Sequence, residues 1–108
     1  MKTIVITRNY IDGFHCYPDA PLEVGFLRNL HRHIFHIECG FAVDHDNREK
    51  EIFIYQSKIE KYIYDVFGKP AEFKNLSCEA IAENIMQEFD CNYVKVTEDG
   101  EGGAIIQR

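Results

Sequence analysis

The sequence predicts an α+β domain: an antiparallel sheet of four to five strands with two helices packed on one face. Three observations carry this. Several segments alternate apolar and polar residues with a period of two, as half-buried strands do. Two segments carry apolar residues at helical spacing. Turn sequences are short enough to join antiparallel neighbours.

Lys2 to Ile11 alternates and reads as the first strand. Asp12 to Arg28 contains Gly13, Pro18, Pro21 and Gly25, and is expected to be a long irregular loop. Leu30 to Val43 is the most informative strand. Side chains alternate across a strand, so His31, His33, Phe35, Ile37, Cys39, Phe41 and Val43 share one face, while Arg32, His36 and Glu38 share the other. Asp44 to Arg48 looks like a turn and Glu51 to Tyr55 like a returning strand.

Ser57 with Glu60 three residues on has capping-box form, and Ile59, Tyr62, Ile63, Val66 and Phe67 follow at helical spacing up to Gly68. Ser77 is a candidate cap for a second helix whose apolar stripe runs through Cys78, Ile81, Ala82, Ile85, Met86 and Phe89. Tyr93 to Glu98 reads as a strand, Asp99 to Gly103 as a turn and Ala104 to Gln107 as a final strand. The expected order is β-β-β-α-α-β-β.

At 108 residues the chain fits one domain, residues 1–108, small enough that oligomerisation helps it bury surface. Its net charge of −6 disfavours a nucleic-acid polymer as partner, because phosphate backbones need a positive surface. No apolar run reaches the roughly 20 residues needed to cross a bilayer, and the N-terminus lacks the continuous apolar core of a secretory signal. A soluble, cytoplasmic protein with no membrane partner is expected. The cysteines, Cys16, Cys39, Cys78 and Cys91, form no C-x-x-C pair, so reduced thiols are expected rather than a zinc ribbon.

His31 and His33 project from the same strand face, and imidazole nitrogens are good zinc ligands. His15, in the preceding loop, could fold back to supply a third ligand. The competing reading is two ordinary sheet histidines, one solvated and one hydrogen-bonded. The apolar continuation of their face favours the metal. Each free ring nitrogen then needs a carboxylate or carbonyl partner, which the sequence does not identify. His36 falls on the polar face, and His45 in a turn beside Asp44. Glu98 has the parity of Val94 and Val96, so it sits on the apolar side of its strand. There it either accepts two hydrogen bonds from an amidine-like ring edge, as in a pterin or guanine, or reaches water past the end of the face.

Phe14-His15, His31-Arg32-His33, the Asn75 to Glu79 segment with Ser77, and Val96-Thr97-Glu98 stand in an order that resembles the 6-pyruvoyl-tetrahydropterin synthase and 6-carboxy-tetrahydropterin synthase family. The resemblance spans nearly the whole chain. It implies the tunnelling fold, in which sheets of neighbouring subunits join into a barrel and stack as rings, commonly a homo-hexamer. It implies zinc held by His15, His31 and His33. It implies a pterin-type heterocycle anchored by Glu98 in a site between subunits, with Ser77 helping to line it.

The chain also departs from the family pattern. Leu27 stands where the family has a reactive cysteine four residues before His-x-His. Phe67 to Asn75 holds no Asp-His pair, and Tyr55 replaces an aspartate. Cys16, if residues 14 to 16 are extended, points away from His15. Loss of a general base typically costs about 10²–10⁴ in rate. The expectation is therefore a zinc-binding, pterin- or purine-binding protein of absent or altered activity, with no catalytic residue identified. The alternative is a divergent zinc-dependent lyase or hydrolase acting on a dihydropterin or purine nucleotide.

Overall fold

The computed structural model describes residues 1–108. Its elements are β1 (Thr3–His15), 3-10 turns over Leu22–Arg28, β2 (His31–Val43), α1 (Ile52–Phe67), β3 (Ala71–Glu72), α2 (Cys78–Phe89), β4 (Tyr93–Glu98) and β5 (Gly102–Gln107). The five strands form one sheet in the order β3-β1-β2-β4-β5. All pairings are antiparallel except the two-residue β3, which runs parallel to β1. No helix is long and apolar enough to cross a membrane.

The alternation in β2 sorts its side chains as expected. Phe35, Ile37, Cys39 and Phe41 are buried. They join Ile59 and Ile63 of α1, and Ile81, Ala82 and Ile85 of α2, in one hydrophobic cluster. Both helices therefore cover the same sheet face, and Tyr62 Oη of α1 donates to Asn84 Oδ1 of α2 at 2.6 Å. The opposite face carries Ile4, Ile6, Tyr10, Ile34 and Ile105, all exposed. These residues share a face because Arg8, Glu38, Lys95 and Ile105 lie opposite one another across four strands.

Three expectations need correction. Glu51 to Tyr55 is not a strand. The Glu51 carboxylate accepts from Phe53 N and Ile54 N and caps α1, so the Ile52 to Tyr55 run is the first helical turn. Its β-branched and aromatic residues imitate a strand, but capping and the inward packing of Tyr55 at helical spacing decide the outcome. The Ser57 capping box accordingly lies inside the helix. The long loop also begins later than expected, because β1 continues through Asp12 to His15 in register with His31 to Ile34. Gly13 does not interrupt that strand. A Cβ there would come within 3.0 Å of both the Ala71 carbonyl and the Phe73 ring, so the glycine lets β3 and Phe73 close against β1. Finally, the strand-like element between the helices is β3, giving β-β-α-β-α-β-β.

Ser77 caps α2 as expected, its Oγ accepting from Ala80 N at 3.1 Å. Gly68 ends α1 with φ of 93°, a left-handed value that favours glycine.

Candidate functional site

Strand register brings the histidines together. His15, the last residue of β1, lies directly opposite His31, the first of β2. His33 follows two residues on, on the same face. Glu98 ends β4 opposite Phe35, so its side chain emerges on that face too. Directly opposed residues have Cβ atoms about 4.5–5.5 Å apart, and diagonal neighbours remain within reach of long side chains. His15, His31, His33 and Glu98 each offer a ligand atom, and these atoms lie within 4.8 Å of one another.

The outer nitrogen of each ring is held by an oxygen. His15 Nδ1 meets the Leu76 carbonyl at 2.9 Å, and His31 Nδ1 the Asn29 carbonyl at 2.9 Å. His33 Nδ1 lies 2.7 Å from Asp99 Oδ2. A carbonyl can only accept, so the first two Nδ1 atoms donate. Asp99 is held below the usual carboxylate range by the Ile34 amide and by His33, so it too accepts. With neutral rings, all three Nε2 atoms then present lone pairs to the centre of the cluster.

Two of those lone pairs have no hydrogen-bonding partner in the chain. Nε2 of His15 and of His33 are buried without a hydrogen-bonding partner. Glu98 Oε2 approaches His15 Nε2 to 2.8 Å and Glu98 Oε1 approaches His33 Nε2 to 3.6 Å, but these are acceptors facing acceptors unless a cation lies among them. A proton on His15 is disfavoured. Burial pushes that imidazole below the ordinary histidine value, against the opposing pull of the Leu76 carbonyl and Glu98. Three imidazole nitrogens and a carboxylate are a donor set that fits a divalent transition metal, so this cluster can hold a metal ion.

A cavity of about 560 Å³ opens beside the cluster, within the usual range for small-ligand sites. His15, His31, Ser77, Glu98, Leu27 and Cys16 are among its lining residues. Ser77 thus stands on the cavity wall while its oxygen caps α2. Leu27 places an aliphatic wall where the resemblance has a thiol. Cys16 lies just past the end of β1 and is among the cavity-lining residues. The strand ends at His15, Cys16 N bonds to the Lys74 carbonyl, and Tyr17 N bonds to the Leu27 carbonyl, which brings this segment alongside Leu27 at the cavity. His36 and His45 stay outside the site. His36 packs edge-on against Tyr10 on the opposite face, and His45 is largely solvated.

Two further residues belong to the site. Asp99 was readable only as part of a turn. Both Asp99 and Gly100 have positive φ, and this geometry returns the Asp99 carboxylate to Ile34 N and His33. An Asp-Gly pair at a hairpin is a recognisable signal, but the direction of its side chain depends on β2 being the neighbour. Cys78 Sγ donates to Glu98 Oε2 at 3.6 Å. Burial and the adjacent Glu98 push this thiol up to about 12, so it stays protonated as a donor.

No protein-family model matches the sequence, and no curated protein matches it. Among solved structures, 6-pyruvoyl tetrahydropterin synthase from Caenorhabditis elegans matches with a TM-score of 0.67 and 10% identity, over 100% of this chain and 96% of that one, so the two share a fold from end to end.

Proposed function

We propose that the protein holds zinc through His15, His31 and His33 and binds a flat heterocycle of the pterin or purine type in the adjoining cavity, without the reaction of 6-pyruvoyl- or 6-carboxy-tetrahydropterin synthases. The convergence of three Nε2 lone pairs beside a ligand-sized cavity carries this reading. Zinc bound there supplies Lewis acidity toward a carbonyl or water. Asp99 and the Leu76 and Asn29 carbonyls orient the rings. Glu98 accepts a pair of N–H donors from the ring edge, and the Ser77 hydroxyl proton is free to donate. Such a bidentate contact selects as well as binds, because a ring without the donors leaves a desolvated carboxylate unpaired.

Calorimetry with neopterin, guanosine nucleotides and adenosine nucleotides tests this. Neopterin or guanosine nucleotides should bind more tightly than adenosine nucleotides. Glu98→Gln should weaken the favoured ligand by about 1.5–3 kcal/mol. Equal affinities for all three, insensitive to Glu98→Gln, would refute the ligand class.

Leu27 has no proton to exchange, and the Phe67 to Asn75 segment contains no Asp-His pair. Dihydroneopterin triphosphate should therefore survive incubation with the zinc-loaded protein. Turnover near or above about 1 per second, an ordinary enzymatic rate, would favour the second reading, a divergent zinc-dependent lyase or hydrolase. The observation that favours that reading is Cys16 on the cavity wall.

We further propose a homo-oligomer built as a ring of joined sheets, as in a hexamer. The uncovered sheet face exposes Ile4, Ile6, Tyr10, Ile34 and Ile105, and β5 is paired on one side only. Light scattering should report a particle several times 12.6 kDa. A monomer at micromolar concentration would contradict it.

A further inference from the structure

Glu98 faces two partners that it cannot serve together. Its Oε2 lies 2.8 Å from His15 Nε2 and its Oε1 3.6 Å from His33 Nε2, so both oxygens are turned onto the histidines. Cys78 Sγ, from the start of α2, steadies Oε2 in that position. Phe35 lies directly opposite Glu98 in the sheet and is fully buried. Yet about a third of the Glu98 side chain remains exposed, and it also lines the cavity. A bidentate grip on a ring edge uses both carboxylate oxygens, which removes both from the histidines.

We infer that Glu98 is the fourth donor of the metal centre in the ligand-free protein, and that it leaves the centre when the heterocycle arrives. The inference rests on the heterocycle reading above for its second half only. In the closed state the carboxylate balances part of the ion's charge and fills the position that solvent or a small anion would take. In the ligand-bound state that position opens next to the heterocycle. A three-histidine centre is thus shielded until its cavity is filled, and one side chain couples the two events. By linkage, whatever the ligand costs the metal in affinity, the metal costs the ligand.

Cobalt(II) substitution reads the coordination directly, because its visible spectrum changes with donor number and identity. The full-length wild type loaded with cobalt should show a spectrum unmoved by azide and steady across pH 6–8, since no water is bound. Glu98→Ala should bind cobalt at least about 10-fold more weakly, and its spectrum should shift on adding azide. Glu98→Gln, a closer fit to the fold, should also admit azide. Asp99→Asn, which loosens the orientation of His33 and leaves the Glu98 carboxylate in place, should weaken cobalt binding yet remain silent to azide. Neopterin added to the wild type should shift the spectrum.

A wild type that takes azide as readily as Glu98→Ala overturns the fourth-donor assignment and leaves heterocycle binding standing. Neopterin that binds by calorimetry without moving the cobalt spectrum overturns the exchange. Neopterin that fails to bind an azide-silent wild type sinks the heterocycle reading and the exchange with it, while supporting closure. Failure to take up cobalt at all defeats both.

Discussion

Wild-type protein purified without chelator is expected to carry close to one zinc per chain, and His31→Ala to lose most of it. His31 and His33 leave β2 from the same face, and the register sets His15 directly opposite His31. The backbone has therefore already assembled the three rings. Their outer nitrogens are also fixed, two by main-chain carbonyls and one by Asp99. Little ordering entropy remains to be lost on metal binding, which favours high affinity. Removing a ring deletes a ligand outright. Removing an outer partner, as in Asp99→Asn, should cost less, about 10–100-fold in affinity. His45→Ala should change nothing, because His45 lies in a solvated turn outside the cluster. Stability provides an independent readout. A ligand held at about 1,000 times its dissociation constant stabilises the native state by about 4.1 kcal/mol, so chelation should lower the melting temperature of the wild type and leave that of His31→Ala nearly unmoved. Elemental analysis and melting curves check both. A metal-free wild type that also refuses added zinc would eliminate the centre, and with it the meaning assigned to the unpartnered His15 and His33 nitrogens.

What was legible in the sequence follows from which forces act locally. The strand over Tyr93 to Glu98 and the helix after Ser77 were readable because alternation, a serine cap and an apolar stripe all agree there. The shared face of His31 and His33 was readable because a two-residue spacing on a strand leaves no other geometry. The start of α1 was not. Ile52 to Tyr55 has strand-like composition, and a glutamate is a less familiar cap than the Ser57 that competed with it. Nor was the parallel β3, two residues long and held through its contact with β1 at Gly13. The same division runs through the site. Parity placed Glu98 on the inner face, but its approach to His15 depends on β4 lying beside β2 in one register. Asp99 and Leu76 complete the cluster from positions 66 and 61 residues away from their histidine partners, and no local signal marks such pairings.

Phe35→Ala is expected to damage the fold and the site together. Phe35 is fully buried and stacks edge-on with Phe73 at a centroid distance of 5.0 Å. The same ring lies 5.1 Å from the His15 ring and 5.6 Å from that of His33. It is therefore both a central piece of the core and the support on which two of the three imidazoles rest. Truncating a buried phenylalanine costs about 3–5 kcal/mol in transfer free energy and cavity. A domain of this size has about 5–15 kcal/mol to lose, so the variant should unfold at markedly lower urea while keeping a similar slope. Metal affinity should fall as well, although Phe35 has no ligand atom, because His15 and His33 gain rotational freedom over the cavity left behind. Phe35→Leu, which fills most of that space, should recover much of both losses. Urea denaturation of the metal-free protein isolates the packing effect, and zinc titration of the folded variant isolates the effect on the site. A stability loss below about 1 kcal/mol would mean that the core closes over the gap by another route. Full stability loss with unchanged zinc affinity would mean that the carbonyls of Leu76 and Asn29 and the carboxylate of Asp99 hold the rings without a floor, and that the site is rigid in its own right.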